Sequence, residues 1–176
     1  MYLTEHFGLS LPAMVVWGLM MAFFFNAFLW IANAKRNNVL LMLSLVVFAS
    51  YFTSDHLFSW FDNSSVYLSW AIYDVITLAV IFSCTYFIKG VKSPAFTYVI
   101  FVLCSNTILQ LLMYYDLHIT GNVSPWFLWD FYSFTVYLLD FTMIIALIVD
   151  RDILGLNALK NRFLRTGKSK QLQKQL

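Results

Sequence analysis

Five apolar stretches of 20 to 24 residues follow one another with only short breaks between them: Leu11–Ala32, Val39–Phe58, Val66–Ile88, Ala95–Tyr115 and Trp126–Val149. A bilayer core about 30 Å thick is crossed by about 20 helical residues rising about 1.5 Å each, so every stretch is long enough to span. None alternates in the way a strand of an outer-membrane barrel does. The expected fold is therefore an all-α integral membrane protein, a bundle of five transmembrane helices. Hydrophobic residues make up 61% of the chain and charged residues 11%, against roughly 25% charge in a soluble domain. That balance excludes a soluble enzyme, a nucleic-acid binder and a disordered tail. The 176 residues leave room for one bundle, residues 1–150, followed by a short tail, residues 151–176.

The punctuation fits these limits. Pro12, Pro94 and Pro125 are placed in the first turns of runs, where a missing N–H costs nothing. Asn38, Ser65, Ser93 and Ser124 stand where N-caps are needed. Short connections make successive helices antiparallel neighbours. Lys35 and Arg36 lie in the first connection, Lys89 and Lys92 in the third, and the other seven basic residues follow the fifth run. All eleven fall on one side of a five-span chain, so the N-terminus is expected outside and the C-terminus in the cytoplasm. The first run lacks a basic leader and a small-residue cleavage site, and reads as a retained anchor in a plasma or bacterial inner membrane.

The tail, residues 151–176, carries seven basic residues against one acidic. Ile153, Leu156, Leu159 and Phe163 recur at helical spacing, flanked by Lys160, Arg162 and Arg165, with Lys168 and Lys170 beyond. This pattern predicts an amphipathic helix on an anionic inner leaflet, each basic residue contributing about 1 kcal/mol. Cys84 and Cys104 have no metal or redox spacing and read as buried apolar thiols. The sequons at Asn63 and Asn122 lie in tight membrane-hugging connections and read as coincidence.

Ionisable groups inside a span cost about 2.5–3.5 kcal/mol at the centre, so each needs a partner, a wet cavity or a proton. Asp55 and Asp130 are within about 6 Å of their helix ends, and Asp74 about 12 Å deep. Asp140, fourteen residues after Trp126 and ten before Asp150, is close to the midplane. Asp130, Ser133, Tyr137 and Asp140 step by three, four and three and predict one polar line along the fifth helix. Facing stripes are expected from Ser44, Tyr51 and Asp55 on the second helix, and from Asp74, Thr77 and Cys84 on the third. The fourth contributes Asn106, Gln110 and Met113. Gly18, Ala22 and Asn26 give the first helix a small face suited to close packing. The ion-path or polar-core candidates are thus Asp74, Asn106, Asp130, Tyr137 and Asp140. The bland alternative is interhelical glue with a protonated carboxyl.

Asp55-His56 before Trp70-x-x-x-Asp74 is echoed by Asp116-x-His118 before Trp126-x-x-x-Asp130. The echo suggests parallel helix-pair repeats and an outer-face divalent metal site from Asp55, His56, Asp116 and His118. Trp60, Tyr67, Trp70, Tyr114, Tyr115, Trp126 and Trp129, near the run ends, read as an interfacial aromatic belt. No lysine lies within a run, which excludes a retinal Schiff base, and no phosphate loop or hydrolase motif is present.

Two functions follow with equal weight. One is a proton or cation channel or carrier subunit, self-associated or partnered because five short helices seldom enclose a path alone. The other is a sensor or assembly subunit with an outer Asp/His surface and a basic cytoplasmic tail. A membrane enzyme with an outer metal is a third and weaker reading. No cofactor other than that metal is suggested.

Overall fold

The computed structural model describes residues 10–57, 66–88, 93–122, 124–152 and 155–156. Five helices account for nearly all of them: α1 (Ser10–Ile31), α2 (Asn38–Leu57), α3 (Val66–Phe87), α4 (Pro94–Tyr114) and α5 (Phe127–Val149). There is no strand among the described residues. All five helices are long and apolar enough to cross a membrane. Their outward faces carry large apolar side chains such as Met14, Trp17, Phe28, Ile72, Phe134 and Leu138, each at least half exposed. A water-facing surface seldom tolerates so continuous an apolar coat. Hydrocarbon suits it.

The helices close into a ring. Each packs on its neighbours in sequence, and α5 returns to pack on α1. At one end, the base, the α1–α2 turn meets the start of α4 and the end of α5. The opposite end, the mouth, gathers the starts of α1, α3 and α5 and the ends of α2 and α4.

Helix ends follow the capping rules, with corrections to the sequence reading. Ser93 caps α4 as expected, its Oγ accepting from the Ala95 N–H at 3.1 Å with Pro94 in the first turn. At α2 the cap is Asn37, not Asn38: its Oδ1 accepts from the N–H groups of Val39 (3.1 Å) and Leu40 (3.2 Å). Asn38 instead accepts from the Trp30 indole at 2.8 Å. Ser124 does not cap α5 and Pro125 precedes the helix, which starts after extended Trp126. The reason is local: Asn122 Oδ1 accepts from both the N–H (3.1 Å) and hydroxyl (2.8 Å) of Ser124 and holds it in a turn. Ser65 and Asn63 lie outside the described residues, as do Lys160, Arg162, Arg165, Lys168 and Lys170 of the tail. Helix α4 runs on through a π turn, Tyr115–Ile119, longer than its apolar run suggested.

The core occupies the base half. Leu19, Ala22, Leu43, Val47, Val102 and Met143, all fully buried, belong to one apolar cluster fed by every helix. Gly18 and Ala22 give α1 the close face expected of them. A Cβ on Gly18 would stand 2.7 Å from Ile144 Cδ1, so glycine leaves that side chain room as α5 packs close. Asn26, on the same face, donates to the Leu147 carbonyl at 3.1 Å. The two cysteines depart from expectation: Cys84 is half-buried and Cys104 exposed on the outer face of α4.

Candidate functional site

Polar residues that lipid cannot satisfy have turned inward, and they gather in the mouth half. Asp140 of α5 is 4% exposed. Its Oδ1 accepts from the Tyr51 hydroxyl of α2 and from Asn106 Nδ2 of α4, both at 2.8 Å. Asn106 Nδ2 also reaches the Tyr51 oxygen at 3.3 Å. One carboxylate thereby ties three helices through two donors. Ser50 of α2 and Thr77 of α3 share a short hydroxyl–hydroxyl contact, and Thr77 donates to the Tyr73 carbonyl at 2.7 Å.

Above Asp140 the helices diverge around a cavity of about 360 Å³. Asp74, Asn106, Gln110, Ser133, Tyr137 and Asp140 line it, with Asp55 also contributing and standing about half exposed at the mouth. Pro12, Val15 and Val16 of α1 form an apolar wall, so all five helices contribute. Tyr67 and Trp70 of α3 and Tyr132 of α5 stand around the entrance. Tyr67 packs edge-on against Trp70 (5.7 Å between ring centres) and Tyr132 (5.5 Å). Among the described residues no Lys, Arg or His side chain lines the cavity.

The electrostatics are one-sided. Asp74 and Asp140 share this space, with Gln110 beside Asp74. Among the described residues three buried side-chain atoms have no partner: Asp74 Oδ2, Asn106 Oδ1 and Gln110 Oε1. The residues that carry them, Asp74, Asn106 and Gln110, all line this cavity, and amide and ionised carboxylate oxygens are acceptors. Buried acceptors without donors are uncommon because each forfeits its hydration.

Below Asp140 the buried residues are mainly apolar: Val47, Val99, Leu103, Met143 and Leu147 are fully buried there, with Ser44 and Asn26 as isolated buried polar side chains. The base is tied shut by Asp150, the left-handed C-cap of α5 (φ 49°). It pairs with Lys35 at 2.5 Å, takes a short bond from the Ser93 hydroxyl, and accepts from the Ala95 N–H at 3.4 Å.

Of the sequence candidates, Asp74, Asn106, Tyr137 and Asp140 come together here. Asp130 does not: it is exposed and outside the cavity lining. Ten residues of helix turn about 1,000°, so Asp130 sits about 80° off the Asp140 direction. The supposed repeat copies also differ, since Asp74 is buried and its counterpart Asp130 is not.

The outer metal set is not assembled either. Among the described residues no three His, Cys, Asp or Glu side chains are grouped to hold an ion. Asp55 and His56 are adjacent at 3.6 Å. Asp116 is taken up elsewhere: its Oδ2 accepts the indole N–H groups of Trp126 (2.9 Å) and Trp129 (3.0 Å), and Asn122 Nδ2 approaches at 3.4 Å. His118 is exposed against the Tyr114 ring. The π turn thus aims Asp116 at the α5 entry rather than at a shared metal.

Tyr67 and Trp70, expected in the aromatic belt, are cavity walls, and Tyr132 joins them. Tyr132, Val136 and Asp140 recur every four residues, a spacing that would have found it. No protein family, no curated protein and no solved structure matches the chain.

Proposed function

We propose that this is a small multi-pass membrane protein that binds cations in a cavity open to one side of the bilayer, and so acts as a membrane receptor or sensor rather than a pore. One observation carries the reading. Two buried carboxyl side chains, and residues carrying three unpartnered oxygens, line one cavity into which no described residue places a basic side chain. Anionic groups withdrawn from water are costly unless something neutralises them. A cation drawn in through the mouth supplies the charge and the donors that the walls lack.

Conduction, the other reading of the same polar line, requires the apolar layer from Val47 to Leu147 to part and the Asp150 clasp to open. The closed base favours binding. With the basic residues on the cytoplasmic side, the mouth faces outward. The tail bearing Lys160, Arg162, Arg165, Lys168 and Lys170 would then lie against anionic lipid, where a bound state can be passed to a partner or a second copy.

The test is charge-selective access to the cavity. Ser133→Cys, in a chain whose native cysteines are replaced by serine, is exposed to a trimethylammonium thiosulfonate and to its sulfonate analogue. After correction for their rates with a free small thiol, the cation should react about tenfold faster or more, and only from the mouth side of sealed vesicles. Equal rates, or reaction from the base side, would overturn the proposal.

A further inference from the structure

We infer that the cavity's ligand is a small organic cation carrying a protonated amino group, anchored on Asp74 and enclosed by aromatic rings. The inference rests on the cation-binding reading above and names the class of cation. The unpartnered atoms come first. Asp74 Oδ2, Asn106 Oδ1 and Gln110 Oε1 belong to residues 6%, 1% and 7% exposed, on α3 and α4. The Asn106 amide is held with its oxygen free, because its Nδ2 is committed to Asp140. Such a set calls for several donors at one place. A single added proton satisfies one of these atoms; an ammonium group brings up to three N–H donors together with a positive charge.

Size and lining point the same way. A cavity of about 360 Å³ is about ten times the share of one water and falls at the lower end of small-molecule sites. A bare ion or a proton would leave most of it to water. Its walls include the rings of Tyr51, Tyr67, Trp70, Tyr73, Tyr132 and Tyr137. Ring faces attract ammonium groups, most strongly where water is excluded. Pro12, Val15 and Val16 offer an apolar side against which a hydrocarbon portion can lie. Asp140 already holds two donors on Oδ1, whereas Asp74 Oδ2 holds none, and Asp74 is the anchor for the positive group.

The full chain in lipid nanodiscs is titrated calorimetrically with 2-phenylethylammonium, its neutral isostere 2-phenylethanol and sodium ion at constant ionic strength, with empty nanodiscs subtracted. The amine should bind saturably and about tenfold or more tighter than the alcohol. Asp74→Asn should weaken it by about tenfold or more, while Asp130→Asn, outside the cavity, should leave it unchanged. Trp70→Leu provides a second variant should Asp74→Asn fail to fold, and it too should weaken the amine. Equal binding of amine and alcohol overturns the inference, as does amine binding indifferent to both variants. Sodium binding without amine binding overturns the inference and leaves the cation-binding reading standing. No binding of any of the three, with equal thiol-reagent rates at Ser133→Cys, overturns both.

Discussion

At the scale of single residues, Asp140 organises the bundle because it is the most deeply placed carboxylate and has found two donors. Tyr51→Phe removes one of them and leaves buried Asp140 Oδ1 with Asn106 alone. A loss of about 1–3 kcal/mol is expected, read as a lower midpoint of thermal or denaturant unfolding in detergent. An unchanged midpoint would mean that the Tyr51–Asp140 bond at 2.8 Å contributes nothing to holding α2 on α5. Much at this scale was legible beforehand. The depth of Asp74 and Asp140 and the spacing of Asn106, Gln110 and Tyr137 pointed inward because a polar group in hydrocarbon has nowhere else to go. Asp130 misled because steps of three and four drift as they accumulate, and near a helix end water already satisfies a carboxylate. Tyr67 and Trp70 misled for a related reason. An aromatic near a helix end serves a lipid headgroup or a cavity rim equally well, and only the neighbouring Tyr132 decides which.

At the scale of helices, the α1–α5 contact depends on one missing side chain. Gly18 faces Ile144, which a Cβ would meet at 2.7 Å. Alanine there meets only the flexible end of Ile144 and should be absorbed. Gly18→Leu cannot be, and should destabilise by about 1–3 kcal/mol or more. Ile144→Ala in the same chain should recover part of that loss, because the two positions share one space. Unfolding midpoints of both singles and the double check this, and strict additivity would contradict it. Helix ends carry smaller terms. Asn37→Ala should cost about 0.5–2 kcal/mol through the lost cap of α2, whereas Asn38→Ala leaves that cap in place. The sequence offers two asparagines in a row and does not say which one caps. Trp30 decides it by donating to Asn38, a contact made only once the α1–α2 turn exists.

At the scale of the whole molecule, two ties hold a ring whose outside is apolar. At the mouth, Asp116 gathers Trp126 and Trp129; at the base, Asp150 gathers Lys35, Ser93 and Ala95. Lys35 is 42% exposed, so the ion pair itself is worth about 1 kcal/mol or less. The backbone matters more. Asp150 has a positive φ of 49°, which asparagine tolerates and a β-branched residue does not. Asp150→Asn should therefore cost clearly less than Asp150→Val, and the reverse order of unfolding midpoints would remove Asp150's backbone role.

Five helices long and apolar enough to span were legible because length and apolarity are summed over many residues. The ring closure of α5 on α1 was only hinted at by the small face on α1, since side-chain size says little about which helix comes near. The cavity was not legible at all, because it is a space between helices and no residue encodes it alone. Its closed base is the feature that separates a receptor from a pore. The most direct test imposes a pH gradient across proteoliposomes of the full chain, followed with a pH-sensitive dye, for the wild type and Asp140→Asn. A gradient that decays no faster than in empty vesicles, for both proteins, is the result a cavity open on one side requires. Rapid decay with the wild type that Asp140→Asn abolishes would mean the polar line runs through to the base, and would contradict it.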